Sequence, residues 1–562
     1  MEADSSGGAG RHHPEMAEDR RGANEPREWD RMRTSVVAKH ACVGTGFLVL
    51  LLVGLAVFRD YGVSWDEPRQ REIGGASAKY VAQTIAPWLL TKTIEEFSDL
   101  EDFSDNDYGV AFETPAFVVE QLLGLTDTRD VFMTRHLLVF LVFMGGVFAL
   151  YRLASRRFDD WRIGLLAETC LVLSPRFFAE AFYNSKDIVF MAAFVIAMDA
   201  MVAFVMRPSI GTAILTAAAT AFAVDVRIMA VILVAGSSAL LLAKTARRDV
   251  SIPRALTLLP VVMGLTAALV VAMFPWLWRD PLGRFVEAFQ NMSHFRWEAD
   301  VRYLGEDVHS THLPWHYPLV WIAITTPLPY LVLAGVGLVS VARRTIACRF
   351  RLWANDAEMQ DLVFLALFCA PIVAVIAMRS VLYDGWRHLY FVYPALLLVA
   401  TRGWTVLWEA SRLNSIGRVC LGTVTILSLS QTTAWMFTAH PMQNVYFNAL
   451  AGHDWRRTFE LDYWGLGNRR AIEYILAHDT SPVVRIRAES WTPLENTVLI
   501  LREEERRRVR LEGDEAVPRY LLTNYRGVKD IDEKRQAPGR ELFYRLLVGD
   551  EVIVSVYKAT RD

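Results

Sequence analysis

The sequence has few cysteines and almost no net charge. Its 5 cysteines are spread over 562 residues, and 59 basic and 62 acidic residues leave a net charge of only −3. A disulfide framework and a cysteine-ligated zinc site are therefore not indicated, and neither is a basic surface for nucleic acid. The sequence also lacks an internal repeat, a feature that many membrane transporters show.

Apolar residues, by contrast, are abundant and concentrated in long runs. They make up 53% of the chain, and 17 tryptophans contribute to an aromatic fraction of 12%. Because about 20 apolar residues cross a bilayer as a helix, this composition predicts an α-helical polytopic membrane protein. We predict about eleven crossings, at residues 36–58, 131–154, 163–182, 188–206, 209–224, 227–243, 255–274, 318–341, 361–378, 388–407 and 417–438.

The distribution of arginine and lysine predicts the orientation of these crossings. Basic side chains cluster after the second, sixth, eighth and tenth segments, which places all four clusters on the side of the N-terminus. Since basic loops stay in the cytoplasm, the N-terminus is predicted to be cytoplasmic and the protein to be multi-pass in the inner (plasma) membrane. The loops 61–130 and 275–318 and the C-terminus are then extracytoplasmic.

Composition also divides the chain into three parts. Residues 1–35 are polar and predict a disordered cytoplasmic tail, and residues 36–439 form the transmembrane domain. From residue 440 to 562 the composition is that of a soluble domain, with a helical pattern at 468–478 and strand-like runs at 483–487, 519–525 and 551–557. This part predicts a small extracytoplasmic α/β domain. Within it, the arginines of 502–510 alternate with glutamates and indicate a solvated helix or strand edge.

An acidic pair, Asp66 and Glu67, follows the first apolar segment in the stretch YGVSWDEP at 61–68. Two carboxylates at a membrane surface can serve in proton transfer, with Asp66 accepting a proton from a hydroxyl and Glu67 supporting it. The alternative is structural. Pro68 is well placed in the first turn of a helix. Ser64 or Asp66 would then be the N-cap of that helix, and the negative charge of Glu67 would be favourable at its N-terminus.

Other charged side chains lie at the same predicted membrane face, where an unpaired charge is costly. In NSKD at 184–187, Lys186 either approaches a phosphate or forms a local ion pair with Asp187. In YDGWRH at 383–388, Arg387 and His388 begin a helix, and they either contact a substrate or extend to the lipid headgroups. We therefore select further candidates for a substrate pocket, which are Asp187, Tyr383, Asp384, Trp386 and His316.

Histidines and aromatic residues in the second large loop have simpler interpretations. His309, His312 and His316 do not match the spacing of a common closed zinc site. The aromatic runs at 274–278 and 315–317 indicate interfacial belts, and stacking on a sugar is the alternative.

An ordered set of motifs resembles one family. The chain is similar to bacterial membrane glycosyltransferases related to the protein O-mannosyltransferases, which belong to the GT-C superfamily. It lacks the β-trefoil insertion of the eukaryotic O-mannosyltransferases. A glycan or a lipid is therefore an alternative to a protein as the acceptor. The matching motifs are YGVSWDE at 61–67, NSKD at 184–187, FPWLWRDP at 274–281, LPWHYPLVWIAITTPLP at 313–329, YDGWRHLYFVYP at 383–394, NVYFNALAG at 444–452 and ELDYWG at 460–465.

The resemblance implies roles for individual residues. Asp66 matches the catalytic acid–base position of the family and Glu67 its neighbour, while Lys186, together with Arg387 and His388, is expected at the phosphate of the donor. No metal is required if cations suffice. A divalent cation, Mg or Mn, held by Asp66, Glu67 and some of the nearby carboxylates is the alternative. Those nearby carboxylates are Asp99, Asp102, Asp105 and Asp107.

The expected function is that of an inverting glycosyltransferase, mannosyltransferase-like, in cell envelope glycosylation. It would move one hexose or pentose from a polyprenyl-phosphate donor to a hydroxyl of a glycan, lipid or protein on the outer face of the membrane. Two alternatives of other classes are a membrane transporter and a non-catalytic scaffold with an external binding domain. A transporter would place its charges near the membrane midplane rather than on one face.

Overall fold

The computed structural model describes residues 28–293, 296–347, 352–411, 414–513, 518–528 and 539–560. Most of the predicted cytoplasmic tail, residues 1–27, lies outside this part of the chain. The first helix already begins at Glu28, within the stretch that the sequence predicted to be disordered. The chain divides into two compact units, one ending at Leu52 and the other beginning at Val53.

The described residues form a mostly helical protein. Short 3-10 turns connect several helices, including one at Arg387–Val392 that leads directly into a long helix. The helices are α1 Glu28–Val57, α2 Glu67–Ile85, α3 Lys92–Glu95, α4 Glu113–Leu122, α5 Thr128–Phe158, α6 Trp161–Val172, α7 Pro175–Tyr183, α8 Asp187–Met206, α9 Ile210–Val226, α10 Val231–Ala246, α11 Ile252–Met273, α12 Pro281–Ser293, α13 Tyr317–Thr325, α14 Leu328–Ala347, α15 Asp356–Met378, α16 Tyr393–Ala410, α17 Ser415–Thr438, α18 Trp455–Thr458, α19 Gly467–His478, α20 Leu494–Ile500 and α21 Glu503–Arg508.

Eight helices of the described chain are long and apolar enough to cross a membrane. The other three predicted segments are helical too, but each differs from a regular crossing. Residues 163–182 are divided between α6 and α7 because Pro175 starts a new helix after Ser174. Helix α9 has only 17 residues. Helix α17 has 24 residues, but its Ser, Thr and Gln side chains make it less apolar. The protein is therefore a multi-pass membrane protein. Eight described helices qualify as spans by length and composition, and the eleven crossings with their orientation stay a prediction.

Helix α8 lies at the centre of the bundle and is buried along nearly its whole length. Its neighbours are α5, α9 and α10, while α14 packs along α16. This second pair comes close because of two glycines. A Cβ at Gly337 would lie 2.0 Å from the carbonyl oxygen of Val399, and one at Gly403 would lie 1.9 Å from that of Leu333. Small residues are needed where helix backbones come this close.

The C-terminal region forms one five-stranded mixed sheet in the order β4-β3-β5-β7-β6. Strand β3 pairs in parallel with β4 and β5, whereas β7 is antiparallel to β5 and β6. The predicted helix and all three predicted strands are present, and α19 packs against β6 and β7. A separate hairpin, β1-β2, precedes α13. The strands are β1 Asp300–Tyr303, β2 Glu306–His309, β3 Val484–Ala488, β4 Val509–Leu511, β5 Tyr520–Thr523, β6 Arg540–Val548 and β7 Glu551–Ala559.

The C-terminal region holds the backbone that precedes Asp66. Arg469 on α19 donates to the carbonyl oxygens of Arg59 and Tyr61, each at 2.7 Å. Asn496 on α20 donates to the carbonyl oxygens of Ser64 and Trp65 at 3.2 and 3.3 Å. Residues far apart in the sequence therefore position the acidic pair.

Candidate active site

A polar cleft of about 490 Å³ lies where these parts of the chain meet. Its walls come from the start of α2, the end of the loop before α8, the turn before α16 and the C-terminal region. Side chains from all four contribute to it, among them Asp66, Lys186, Arg387 and Arg526. The cleft thus collects most of the charged candidates that the sequence suggested separately.

Asp66 lies at the N-cap position of α2, but its side chain forms no capping hydrogen bond. The carboxylate instead accepts a hydrogen bond from Arg387 Nη1 at 2.8 Å, and 26% of the side chain remains exposed in the cleft. Burial acts to raise the pKa of Asp66, but the charges of Arg387 and Lys186 outweigh burial and hold the pKa below its usual value of 3.8. Asp66 is therefore an ionised, accessible hydrogen-bond acceptor at neutral pH.

Arg387 is buried and shared among three carboxylates. Besides Asp66, its guanidinium contacts Asp187 Oδ2 at 3.1 Å and Asp384 Oδ2 at 3.2 Å. The rings of Tyr383 and Trp464 lie 4.8 and 4.7 Å from its guanidinium carbon. The sequence predicted that Arg387 contacts a donor phosphate. In the structure Arg387 pairs with carboxylates instead, and these pairs fix the positions of both Arg387 and Asp66.

Lys186 is the cation of the cleft that has no carboxylate within ion-pair distance among the described residues. Its Nζ lies 3.6 Å from the centre of the Tyr108 ring. The ion pair with Asp187, which was one interpretation of the sequence, is not formed, because Asp187 pairs with Arg227 and Arg387. Lys186 therefore has no carboxylate partner among the described residues, and its protonated ammonium is available to a bound anion.

The pKa of Lys186 reflects this environment. Burial, together with the positive charges of Arg227 and Arg387, lowers the pKa from its usual 10.5 to about 7, while Asp66 and Asp187 oppose the shift. An anion bound beside Lys186 would stabilise the protonated ammonium.

An apolar groove of about 220 Å³ adjoins the cleft. The two cavities share Tyr108, Lys186 and Tyr383. Side chains from α10, α12, α15 and the turn before α16 line the rest of the groove, and Arg227 and His388 lie with Lys186 at its polar end. Arg227 Nε and His388 Nδ1 are buried and have no hydrogen-bond partner in the part of the chain that the structure describes.

Glu67 faces away from the cleft and is only 1% exposed. Its Oε2 accepts a hydrogen bond from the backbone N–H of Ser64 at 2.6 Å, and its Oε1 lies 2.9 Å from Nε2 of His136 on α5. The structure therefore places Glu67 where it positions the backbone before Asp66 rather than in contact with a substrate. Glu67 also lies in the first turn of α2, as the structural alternative of the sequence analysis expected.

We expect Glu67→Ala to destabilise the protein and to slow any reaction at Asp66. The substitution would leave the buried N–H of Ser64 without its acceptor, which costs about 1–3 kcal/mol. Thermal unfolding of the purified protein, followed by tryptophan fluorescence, measures the effect. Glu72→Ala is the matched control, because the Glu72 side chain is 53% exposed and an exposed pair contributes at most about 1 kcal/mol. Equal unfolding temperatures for the two variants would contradict this role of Glu67.

The structure does not bring every candidate into the cleft. Trp386 is buried and donates its indole N–H to Thr325 Oγ1 at 2.8 Å. His316 contacts the hydroxyl of Tyr303 through Nδ1 at 2.6 Å, outside the cleft. Asp187 lies behind Arg387, whereas Tyr383 and Asp384 line the cleft.

Three of the carboxylates considered for a divalent cation pair with basic side chains instead. Asp105 contacts Arg69 at 2.5 Å, and Asp107 contacts Arg296 at 3.0 Å. Asp66 contacts Arg387, as described above. No group of three or more His, Cys, Asp or Glu side chains suited to a metal occurs in the described ranges. These residues therefore do not fit a metal site as they are arranged.

Several residues of the site were missed by the sequence analysis. Arg227 lies between two adjacent apolar segments. A charged residue in that position was a signal in the sequence for a functional site. Tyr108, Trp297, Trp491 and Arg526 also line the cleft, and only the folded chain brings them to it.

No protein-family model and no curated protein sequence matches the chain. Among solved structures, the chain is similar to ArnT from Cupriavidus metallidurans bound to undecaprenyl phosphate. The identity is 14% and the TM-score 0.46, over 92% of this chain and 98% of that one.

Two archaeal structures are also similar. The Archaeoglobus fulgidus oligosaccharyltransferase in complex with Zn and sulfate has 11% identity and a TM-score of 0.39, over 82% of this chain and 61% of that one. AglB from the same organism, in complex with an inhibitory peptide and a dolichol-phosphate, has 10% identity and a TM-score of 0.41, over 85% and 69%. All three identities lie between 10% and 14%, and all three TM-scores lie below 0.5.

Proposed function

We propose that the protein is a glycosyltransferase that moves a single sugar from a polyprenyl-phosphate donor to a hydroxyl acceptor. One observation carries the proposal. The polar cleft that contains Asp66 adjoins an apolar groove with cations at its polar end, and Lys186 lines both. A lipid phosphate needs an apolar channel joined to a cationic end, and a sugar attached to that phosphate would then extend into the cleft.

The proposed reaction uses the cleft from two sides. The acceptor oxygen attacks the anomeric carbon of the sugar, and the bond between that carbon and the phosphate oxygen breaks. The hydroxyl proton passes to Asp66, and the electron pair of the broken bond remains on the departing polyprenyl phosphate. Attack from the face opposite the phosphate gives inversion.

The charged side chains would divide this work. Lys186, Arg227 and His388 lie where the phosphate gains negative charge as it departs, so their positive charge or N–H groups stabilise the transition state more than the ground state. Arg387 would hold Asp66 ionised and oriented, because three carboxylates already engage its guanidinium. This division replaces the expected contact between Arg387 and the phosphate.

The arrangement favours an enzyme over the two alternatives. The charged groups lie at helix beginnings, with Asp187 at the start of α8 and Arg387 in the turn before α16. A transporter would place such charges near the middle of the spans. A scaffold would have no need for an ionised acid and an uncompensated lysine in one cleft.

Mass spectrometry of cells with and without the protein tests the function. We expect one hexose or pentose to be missing from a glycan, lipid or protein of the cell envelope when the gene is deleted, and to return with the wild-type chain. Identical glycan, lipid and glycoprotein profiles in both cells would reject the proposal.

The proposed reaction requires the cleft and the C-terminal region to be extracytoplasmic. We expect single cysteines at the exposed positions Ser98 and Thr480, introduced after removal of the 5 native cysteines, to react with an impermeant maleimide in intact cells. Ser251→Cys, in the basic connection before α11, is the control and should react only after permeabilisation. Protection of residue 98 or 480 in intact cells would contradict the predicted orientation.

A further inference from the structure

A second polar cavity, of about 50 Å³, adjoins the cleft in the C-terminal region. It lies between the β1-β2 hairpin, the segment at 459–463 and the loop that follows β5. Trp491 and Arg526 line both this cavity and the cleft. The two cavities therefore meet at these two side chains.

Arg526 joins the two cavities through several contacts. Its Nη2 donates to Asp384 Oδ1 at 2.6 Å and its Nη1 to the carbonyl oxygen of Tyr463 at 2.5 Å. Its guanidinium also lies 4.7 Å from the ring centre of Trp65, the residue before Asp66. Arg526 is 8% exposed, and its Nε has no hydrogen-bond partner among the described residues. A buried N–H donor therefore remains available at the junction.

Trp491 is held at this junction with much of its surface free. The residue is 48% exposed, and its backbone N–H donates to the carbonyl oxygen of Arg526 at 3.1 Å. Its ring packs so closely on Gly527 that a Cβ there would lie 2.3 Å from the ring. Gly527 has a φ of +71°, which glycine adopts readily. The backbone thus supports the indole while leaving it accessible.

The polar side chains around the indole accept and donate hydrogen bonds. Asp300, Asp307 and Glu460 line the cavity. Asp307 is paired with Arg302, but Oε2 of Glu460 is buried and has no hydrogen-bond partner in the described chain. Burial, together with the negative charge of Asp384, raises the pKa of Glu460 to about 8, while the positive charge of Arg526 opposes this shift. At neutral pH Glu460 is therefore largely protonated, and it can both donate and accept a hydrogen bond.

We propose that this second cavity is a carbohydrate subsite, in which Trp491 stacks on a sugar ring of a glycan acceptor and Glu460 and Arg526 bind its hydroxyls. The proposal rests on the proposed function, since it names the acceptor that the glycosyltransferase would use. An indole beside unpartnered donor and acceptor atoms suits a ring that has an apolar face and hydroxyls at its edge. An extended peptide would instead need a free strand edge or a row of side-chain pockets.

The experiment uses the full-length protein in nanodiscs, labelled with 5-fluorotryptophan and observed by ¹⁹F NMR without any donor. The ligands are tetrasaccharides of mannose, glucose, galactose and arabinose, with a capped Ala-Ser-Thr-Ala peptide as the competing class. We expect at least one tetrasaccharide to shift the resonance that Trp491→Phe removes, in a saturable manner. The resonance of Trp88, which is 79% exposed, should stay unchanged as the control.

Gly527→Ala displaces the indole without removing it. We expect this variant to bind the active tetrasaccharide about tenfold more weakly, while its affinity for undecaprenyl phosphate equals that of the wild type. A shift caused by the peptide instead of a sugar would overturn the carbohydrate assignment, as would equal shifts of Trp88 and Trp491 or no shift with any sugar. Sugar binding without lipid-phosphate binding would instead reject the proposed function and retain the subsite.

Discussion

Asp66→Asn is expected to abolish sugar transfer while the protein still folds. Asparagine keeps the shape of the side chain and an oxygen that accepts the hydrogen bond from Arg387, which measures 2.8 Å with the native carboxylate. It cannot accept the proton of the acceptor hydroxyl, and loss of a general base slows a reaction about 10²- to 10⁴-fold. Transfer by the purified protein is measured with the donor and acceptor that mass spectrometry identifies.

The result separates catalysis from helix capping. Asparagine is a good N-cap, so a purely structural Asp66 would tolerate the change. Asp66 also forms no capping hydrogen bond in the structure. Asp102→Asn is the matched control, because Asp102 is exposed in the same segment and does not line the cleft. Wild-type turnover in Asp66→Asn would end the catalytic interpretation.

Lys186→Ala is expected to weaken binding of the donor lipid by one to two orders of magnitude. Two unit charges about 4 Å apart attract by about 4 kcal/mol at an effective dielectric constant near 20, and desolvation removes part of this. Lys186→Arg should retain part of the affinity, because either cation can contact a phosphate. Titration with the methyl ester of undecaprenyl phosphate measures binding of the lipid and phosphodiester alone.

The same titration should depend on pH in a defined direction. The phosphodiester keeps one negative charge between pH 6 and 9, whereas Lys186 loses its proton as the pH rises through about 7. Affinity should therefore fall as the pH rises in the wild type. Arginine stays protonated in this range, so the dependence should largely disappear in Lys186→Arg.

The control for Lys186 is Lys92→Ala, at an exposed lysine of the same charge that lies in α3, away from the cleft. The variants must also be compared for folding, because Lys186 borders the buried residues of α8. Unchanged lipid affinity in correctly folded Lys186→Ala would reject the phosphate assignment and leave Arg227 and the N–H group of His388 to test.

The local pattern of the sequence was sufficient for the helices and for part of the site. Asp66, Lys186, Tyr383, Asp384 and Arg387 were all recognisable as polar groups at the ends of apolar segments, and all line the cleft. Their partners were not recognisable. The pairing of Lys186 with Asp187 was a reasonable expectation from adjacency, but Arg227, 40 residues along the chain, takes that place.

Composition and periodicity by themselves determined that this chain is a helical multi-pass membrane protein with a small C-terminal sheet. They could do so because a bilayer requires long apolar helices and because strands and amphipathic helices repeat at fixed intervals. Only the tertiary structure decided that Glu67 faces α5 rather than the cleft, that three carboxylates engage Arg387, and that Trp491 and Arg526 line the cleft that holds Asp66. Most of these residues are far apart in the sequence. Their contacts depend on helix packing and side-chain direction, which leave no periodic trace in the sequence.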